Sequence, residues 1–128
     1  MELSKDIREK IIKHCVAEVP HQACGLVLFN EGMHSVDSVE TINYGAWPYG
    51  FQISPNDMLN AAMNAKKRGL QVRGIYHSHL ASDAQITDRD KARLISDDLL
   101  YIIVSVLDVN NPEICCYHKI NDTYIMID

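Results

Sequence analysis

Apolar positions recur along this chain with the periods of both helices and strands. Leu3, Ile7, Ile11, Ile12, Cys15 and Val16 make one stripe of a helix. Ser4 is placed to cap it and Val19-Pro20 to end it, so the spacing predicts a helix from Ser4 to about Glu18. Ala23 to Phe29 is a short apolar run that reads as a buried strand. Asn30-Glu31-Gly32 reads as a hairpin turn. His34 to Asn43 reads as the returning strand, with Val36, Val39 and Ile42 only roughly in register. Asn43 to Phe51 is a loop rich in Gly, Pro and aromatic residues. Ser54-Pro55 is a strong helix start, and that helix runs to about Arg68, where Gly69 stops it. Gln71 to Ser78 is the next strand and Leu80 to Ile86 a loop. Thr87 opens a helix to about Ser96. Leu99 to Leu107, Ile114 to Ile120 and Tyr124 to Ile127 finish as strands, with turns at Asn110-Asn111-Pro112 and Asn121-Asp122.

The predicted order is α-β-β-α-β-α-β-β-β. Interleaved helices and strands imply an α/β fold, a mixed sheet packed by helices. At 128 residues the expectation is a single domain, 1–128. The 47% hydrophobic content suffices for one core. No apolar run has the length of a membrane span. The N-terminal Met1-Glu2-Leu3-Ser4-Lys5-Asp6 lacks the basic and apolar regions of a signal peptide, so a soluble cytoplasmic protein is expected, with no membrane partner. The formal net charge is -5, and Lys66-Lys67-Arg68 is the densest basic cluster, which argues against nucleic acid as the main partner. Mild acidity is compatible with a basic protein partner. Cys15, Cys24, Cys115 and Cys116 form no CxxC pair. Adjacent Cys115 and Cys116 on a strand face opposite ways, so the cysteines read as small buried hydrophobes in a reducing compartment.

The chemistry concentrates in His77-Ser78-His79 and, after a short gap, Thr87-Asp88-Arg89-Asp90. Residues two apart on a strand share a face, so His77 and His79 point the same way. Residues three apart at a helix start also share a face, which pairs Thr87 with Asp90. A strand ending at a metal and a helix beginning at it would offer two imidazoles and one carboxylate to a single zinc ion. Three protein ligands leave a fourth position open, the catalytic rather than the structural arrangement. Plainer roles exist beside this one. Asp90 suits the first turn of a helix through the dipole, and Thr87-x-x-Asp90 is a variant of the capping box. Ser78 faces away from the pair and reads as backbone support.

The pattern His-x-His, then Ser/Thr-x-x-Asp, resembles the signature of the JAMM metallopeptidases, also called MPN+ proteins. Pro20-x-x-Ala23-Cys24-Gly25-Leu26 resembles that family's first strand, and Asn43 through Phe51-Gln52-Ile53-Ser54-Pro55 its loop into the second helix. The resemblance covers most of the chain and is to compact prokaryotic members. It implies the MPN (JAMM) fold, Zn2+ on His77, His79 and Asp90, and Thr87 in place of the usual Ser that steadies the oxyanion. The family's general base is a Glu two residues before the Cys-Gly pair, and Gln22 stands there. Gln cannot accept the proton of an attacking water, and losing a positioned base costs roughly 10²–10⁴-fold in rate. Gln22 reads either as an introduced exchange that silences an active enzyme, favoured because the rest of the site is intact, or as the mark of a non-catalytic member. Glu18 and Glu31 miss the family position. Leu80, where many members have Pro, affects loop shape more than chemistry.

The resemblance implies a zinc-dependent isopeptidase or peptidase acting at the extended C-terminal tail of a ubiquitin-like or sulfur-carrier protein, slowed or inactivated by Gln22. The first alternative is a non-catalytic module that binds such a protein or scaffolds a partner. The second is a zinc hydrolase of cell-wall or phage-tail peptides, disfavoured by the lack of an appended domain or export feature. His14, His21, His34 and His118 have no spacing that joins them to the site. Tyr44, Trp47, Tyr49 and Phe51 read as core packing, with contact to a substrate tail as the other option. The sequence leaves the oligomeric state open.

Overall fold

A computed structural model of the chain describes residues 1–45, 50–93 and 98–127. Helix α1 spans Lys5–Ala17, strand β1 Cys24–Phe29, β2 Ser35–Thr41, helix α2 Pro55–Lys67, β3 Gln71–His79, α3 Asp88–Arg93, β4 Leu100–Ser105, β5 Glu113–Ile120 and β6 Thr123–Met126. The expected element order is therefore observed. The expected end of the third helix near Ser96, and Trp47 and Tyr49 of the aromatic loop, lie outside the described residues.

The caps explain where the helices begin. Ser4 accepts a bond from the Ile7 amide at 3.3 Å, and Ser54 one from the Asp57 amide at 3.0 Å. Beyond α2, Gly69 takes φ +68°, the left-handed turn that a side chain resists. Strand β2 stops two residues short of the expected Asn43. The Asn43 carboxamide is engaged instead, accepting from the Gly45 amide at 2.8 Å and the Gln52 amide at 3.0 Å while donating to the Gln22 carbonyl at 3.1 Å. Strand β3 runs one residue past expectation, because its pairing with β4 continues to His79 opposite Ser105.

The six strands form one sheet in the order β2-β1-β3-β4-β5-β6. Among the described residues β3 and β4 are the one parallel pair of strands, and the other neighbouring strands are antiparallel. Each face carries its own core. Ile7, Ile11 and Cys15 of α1 pack with Val27, Phe29, Tyr76, Ile102, Val104 and Cys116. On the other face Cys24, Phe51, Ala84, Tyr101, Ile103 and Tyr117 cluster, with Cys115 packed against them. The adjacent cysteines thus do face opposite ways. All four are free thiols. Burial pushes Cys15 up to about 12 and Cys116 up to about 11, with nearby charges adjusting both, so they stay protonated and inert.

One close approach ties the helix face to the strand that carries the histidines. A Cβ at Gly25 would lie 2.3 Å from the hydroxyl, Cζ and Cε2 of Tyr76. Only glycine lets the Tyr76 ring cross β1 and bring its hydroxyl 2.6 Å from His14 Nδ1. Tyr76 thus anchors α1 to β3 one residue before His77. Among the described residues no helix is long and apolar enough to cross a membrane.

Candidate metal centre

The site lies where β3 leaves the sheet, on the face opposite α1. The pleat sends Tyr76 and Ser78 toward α1 and Ile75, His77 and His79 to the other side. His77 sits between Cys24 of β1 and Ile103 of β4, and His79 beside Ser105. Both imidazoles are buried, with 3% and 6% of their surface exposed. Phe51 stacks on His77 at a ring separation of 4.2 Å and 15°. The loop aromatic therefore packs on a candidate ligand rather than standing free in the cleft.

The carboxylate arrives on α3. Thr87 caps that helix rather than beginning it. Its Oγ1 accepts from the Asp90 amide at 3.1 Å, while Asp90 Oδ2 accepts from the Thr87 amide at 3.0 Å. This reciprocal pair is a capping box with Asp in place of the usual Glu or Gln. It fixes the carboxylate before any ion is considered. Asp90 is 6% exposed. Oδ1 lies 3.0 Å from His77 Nε2 and Oδ2 2.9 Å from His79 Nε2. The three ligand atoms lie within 4.8 Å of one another. Sequence reasoning brought these three residues together, and the fold does the same.

The hydrogen bonding calls for a cation here. His79 Nδ1 is 2.7 Å from the Asp83 carbonyl, which can only accept, so Nδ1 carries the proton. In a neutral ring Nε2 is then a lone pair facing a carboxylate oxygen. That contact is repulsive unless a proton or a metal ion sits between them. Burial lowers the His79 pKa, but the Asp90 hydrogen bond and the Asp83 carbonyl outweigh it and raise it overall. Burial likewise opposes ionisation of Asp90, yet the His77 and His79 hydrogen bonds hold its carboxyl well below the usual range. Two imidazole nitrogens and one carboxylate, with a backbone carbonyl orienting one ring from behind, are the donor set and outer partner typical of zinc. The residues present fit the ion.

A cleft of about 460 Å³ opens over the three candidate ligands, lined also by Gln22, Phe51, Leu80, Thr87 and Arg89. Gln22 stands at its edge and also borders a second cavity of about 490 Å³ holding His14, Glu18 and Glu40. Gln22 Nε2 donates to the Ser78 carbonyl at 3.1 Å. Its Oε1 is buried with no hydrogen-bond partner among the described residues. A buried acceptor without a partner beside the cleft suits a donor from water or substrate. Ser78 supports the same segment, since its Oγ accepts from the Ala23 amide at 2.8 Å. That matches the backbone role expected of it. Thr87 is exposed at the cleft, and its capping bond uses Oγ1 as acceptor, leaving the hydroxyl proton for another partner.

Glu18 borders the cavity on the far side of Gln22. Glu31 lies in the β1–β2 turn, beyond the opposite end of β1 from the cleft. Sequence reasoning missed Asp83, Ser105 and Tyr117. Asp83 acts through its backbone carbonyl and leaves no mark in the sequence. Ser105 interrupts the apolar run from Leu100 to Leu107, but a lone serine there names no partner in the sequence.

Residues 4–118 match the family model described as prokaryotic homologs of the JAB domain. Solved structures agree in fold. Protein DSY2949 from Desulfitobacterium hafniense superposes with a TM-score of 0.86 at 25% identity, covering 98% of this chain and 88% of that one. A protein from Salinibacter ruber gives 0.77 at 23% identity, covering 100% and 89%. AF2198, a JAB1/MPN domain protein from Archaeoglobus fulgidus, gives 0.63 at 16% identity, covering 100% and 95%. No curated protein sequence matches the chain.

Proposed function

The chain belongs to the Prok-JAB family, the prokaryotic homologs of the JAB domain, and on that premise we propose that it is a zinc-binding domain of JAMM peptidase design. Its substrate would be the C-terminal tail of a ubiquitin-like or sulfur-carrier protein, cut at an amide or isopeptide bond. The observation that carries this reading is the convergence of His77, His79 and Asp90 within 4.8 Å, all buried, beneath an open cleft. The fold is shared with a JAB1/MPN domain protein.

His77 and His79 would hold the ion through Nε2 and Asp90 through its carboxylate, the capping box keeping that carboxylate still. The chemistry a bound zinc supplies is Lewis acidity toward a carbonyl and toward water near neutral pH. Thr87 stands at the cleft with a hydroxyl proton to offer a developing oxyanion. Gln22 orients but does not take a proton. Its Oε1, which has no partner among the described residues, would accept a hydrogen bond from water or substrate while Nε2 stays on the Ser78 carbonyl. Hydrolysis by this chain is therefore expected to be slow, by roughly 10²–10⁴-fold against a Glu at that position.

That same Nε2 bond favours a second reading. A carboxylate could not make it, so Gln suits the backbone around it, as in a domain that binds a tail without cutting it. Two measurements test the proposal. Chelator competition should find one zinc per chain, lost in Asp90→Ala. A fluorogenic amide built on a ubiquitin-like tail should be cleaved slowly by the native chain and much faster by Gln22→Glu. No zinc binding would refute the metal reading. Zinc binding without cleavage in either form, but with retention of the tail, would leave the binding module.

A further inference from the structure

The segment 80–87, which carries the chain from one ligand to the helix bearing another, is held by side chains from strands outside the site. Ser105, at the end of β4 and 4% exposed, donates its hydroxyl to the Ser82 carbonyl at 2.6 Å. Tyr117 of β5, 5% exposed, donates to the Ala84 carbonyl and accepts from the Ile86 amide, both at 3.3 Å. Between Ser82 and Ala84 lies Asp83, whose carbonyl takes the Nδ1 proton of His79 at 2.7 Å. The carbonyl that sets the tautomer of a ligand is thus bracketed by two pinned neighbours. The Ser82 hydroxyl makes a longer approach to the same nitrogen, 3.3 Å.

We propose that Ser105 and Tyr117 are positioning residues of the metal centre: they fix the 82–84 backbone so that the Asp83 carbonyl holds His79 with Nε2 turned to the ion. This rests on the zinc reading above. The physical argument is one of precision. A loop of exposed residues does not hold a carbonyl to a few tenths of an ångström by itself. Ser82 and Asp83 are exposed, while the two groups that pin their neighbours are buried in the sheet. The pins act on one carbonyl from either side, so their losses are coupled and not independent. Partners behind a metal ligand typically govern affinity by roughly 10–100-fold.

The test uses Ser105→Ala and Tyr117→Phe, with Ser105→Thr as the variant that keeps the hydroxyl. Zinc affinity is measured by chelator competition, and the visible spectrum of the cobalt-loaded protein reports ligand geometry. In the zinc-free protein, at a pH high enough for the ring to be neutral, nitrogen-15 NMR of the imidazoles reports the His79 tautomer. We expect roughly tenfold weaker zinc binding in each of the first two variants. Their cobalt bands should be altered and the population with Nδ1 protonated reduced, while Ser105→Thr stays near the native chain. Zinc affinity, cobalt spectrum and His79 tautomer all unchanged in both variants would overturn the proposal, even if the melting temperature fell. If the native chain bound no zinc, the metal reading would fail, and the His79 tautomer in the zinc-free variants would still decide whether the pins act on that ring.

Discussion

Replacing Gln22 with Glu tests whether the backbone around that position suits an amide. Gln22 Nε2 donates to the Ser78 carbonyl across 3.1 Å, and the exchange puts an acceptor oxygen against an acceptor oxygen. The lost hydrogen bond is worth about 1 kcal/mol, and an ionised oxygen there costs a further ~1–2 kcal/mol. Asp90 borders the same cleft and adds repulsion in the same direction. The carboxyl escapes most of this by keeping its proton and donating it to the carbonyl. Its pKa in the zinc-free fold should therefore rise above the ordinary carboxyl range, because the Ser78 carbonyl accepts from the protonated form and repels the ionised one. A carboxyl raised in the fold binds more protons there than in the unfolded chain, so stability falls as pH climbs from about 4.3 through the raised value. Zinc-free Gln22→Glu should match the native chain at pH ~3.5 and be about 1–3 kcal/mol less stable at pH ~8. Urea unfolding of both proteins at the two pH values reads the difference, and shared titrations cancel. A gap independent of pH, or a variant more stable near pH 8, would refute the reasoning.

Two further perturbations probe the frame around the site. Gly25→Ala drives a Cβ to within 2.3 Å of the Tyr76 ring and hydroxyl, which breaks the 2.6 Å contact with His14. The expected loss is about 2–4 kcal/mol in urea unfolding, and less than ~1 kcal/mol would mean the ring moves freely. Asp37 of β2 receives Lys10 of α1 at 2.8 Å and Arg68, which caps α2, at 3.0 Å. The Lys10 hydrogen bond, helped by Arg68, holds the Asp37 carboxyl below its usual range. A depressed carboxyl contributes stability that is present at neutral pH and lost as pH falls through the folded pKa. These partners are partly exposed, so Asp37→Asn should cost only about 0.5–1 kcal/mol near pH 7, less at high salt and nothing at strongly acidic pH. Thermal unfolding of the pair should see the difference shrink under both conditions, and a constant difference would count against the ion pairs.

The sequence by itself determined the elements and the candidate ligands. Ser4 and Ser54 marked helix starts because a hydroxyl at that position satisfies an amide that the helix leaves open. His77 and His79 were legible as a same-face pair because the pleat has period two, and Thr87-x-x-Asp90 because a capping box is a local object. Its Thr and Asp do pair as that spacing requires. Tertiary structure alone decided the rest. The order of strands, with β1 between β2 and β3, depends on contacts between distant segments that no local period encodes. The ends of β2 and β3 shifted for the same reason, one released by the Asn43 side chain and the other extended by pairing with β4. Phe51 stacks on His77 only because the loop folds back over β3. His79 meets the backbone carbonyl of Asp83, and the carbonyls on either side of it are held by two buried hydroxyls from strands later in the chain. A carbonyl has no residue type, and a hydroxyl at the end of a strand has no fixed spacing to the ligand it serves. Such groups become visible only once the sheet has brought them together.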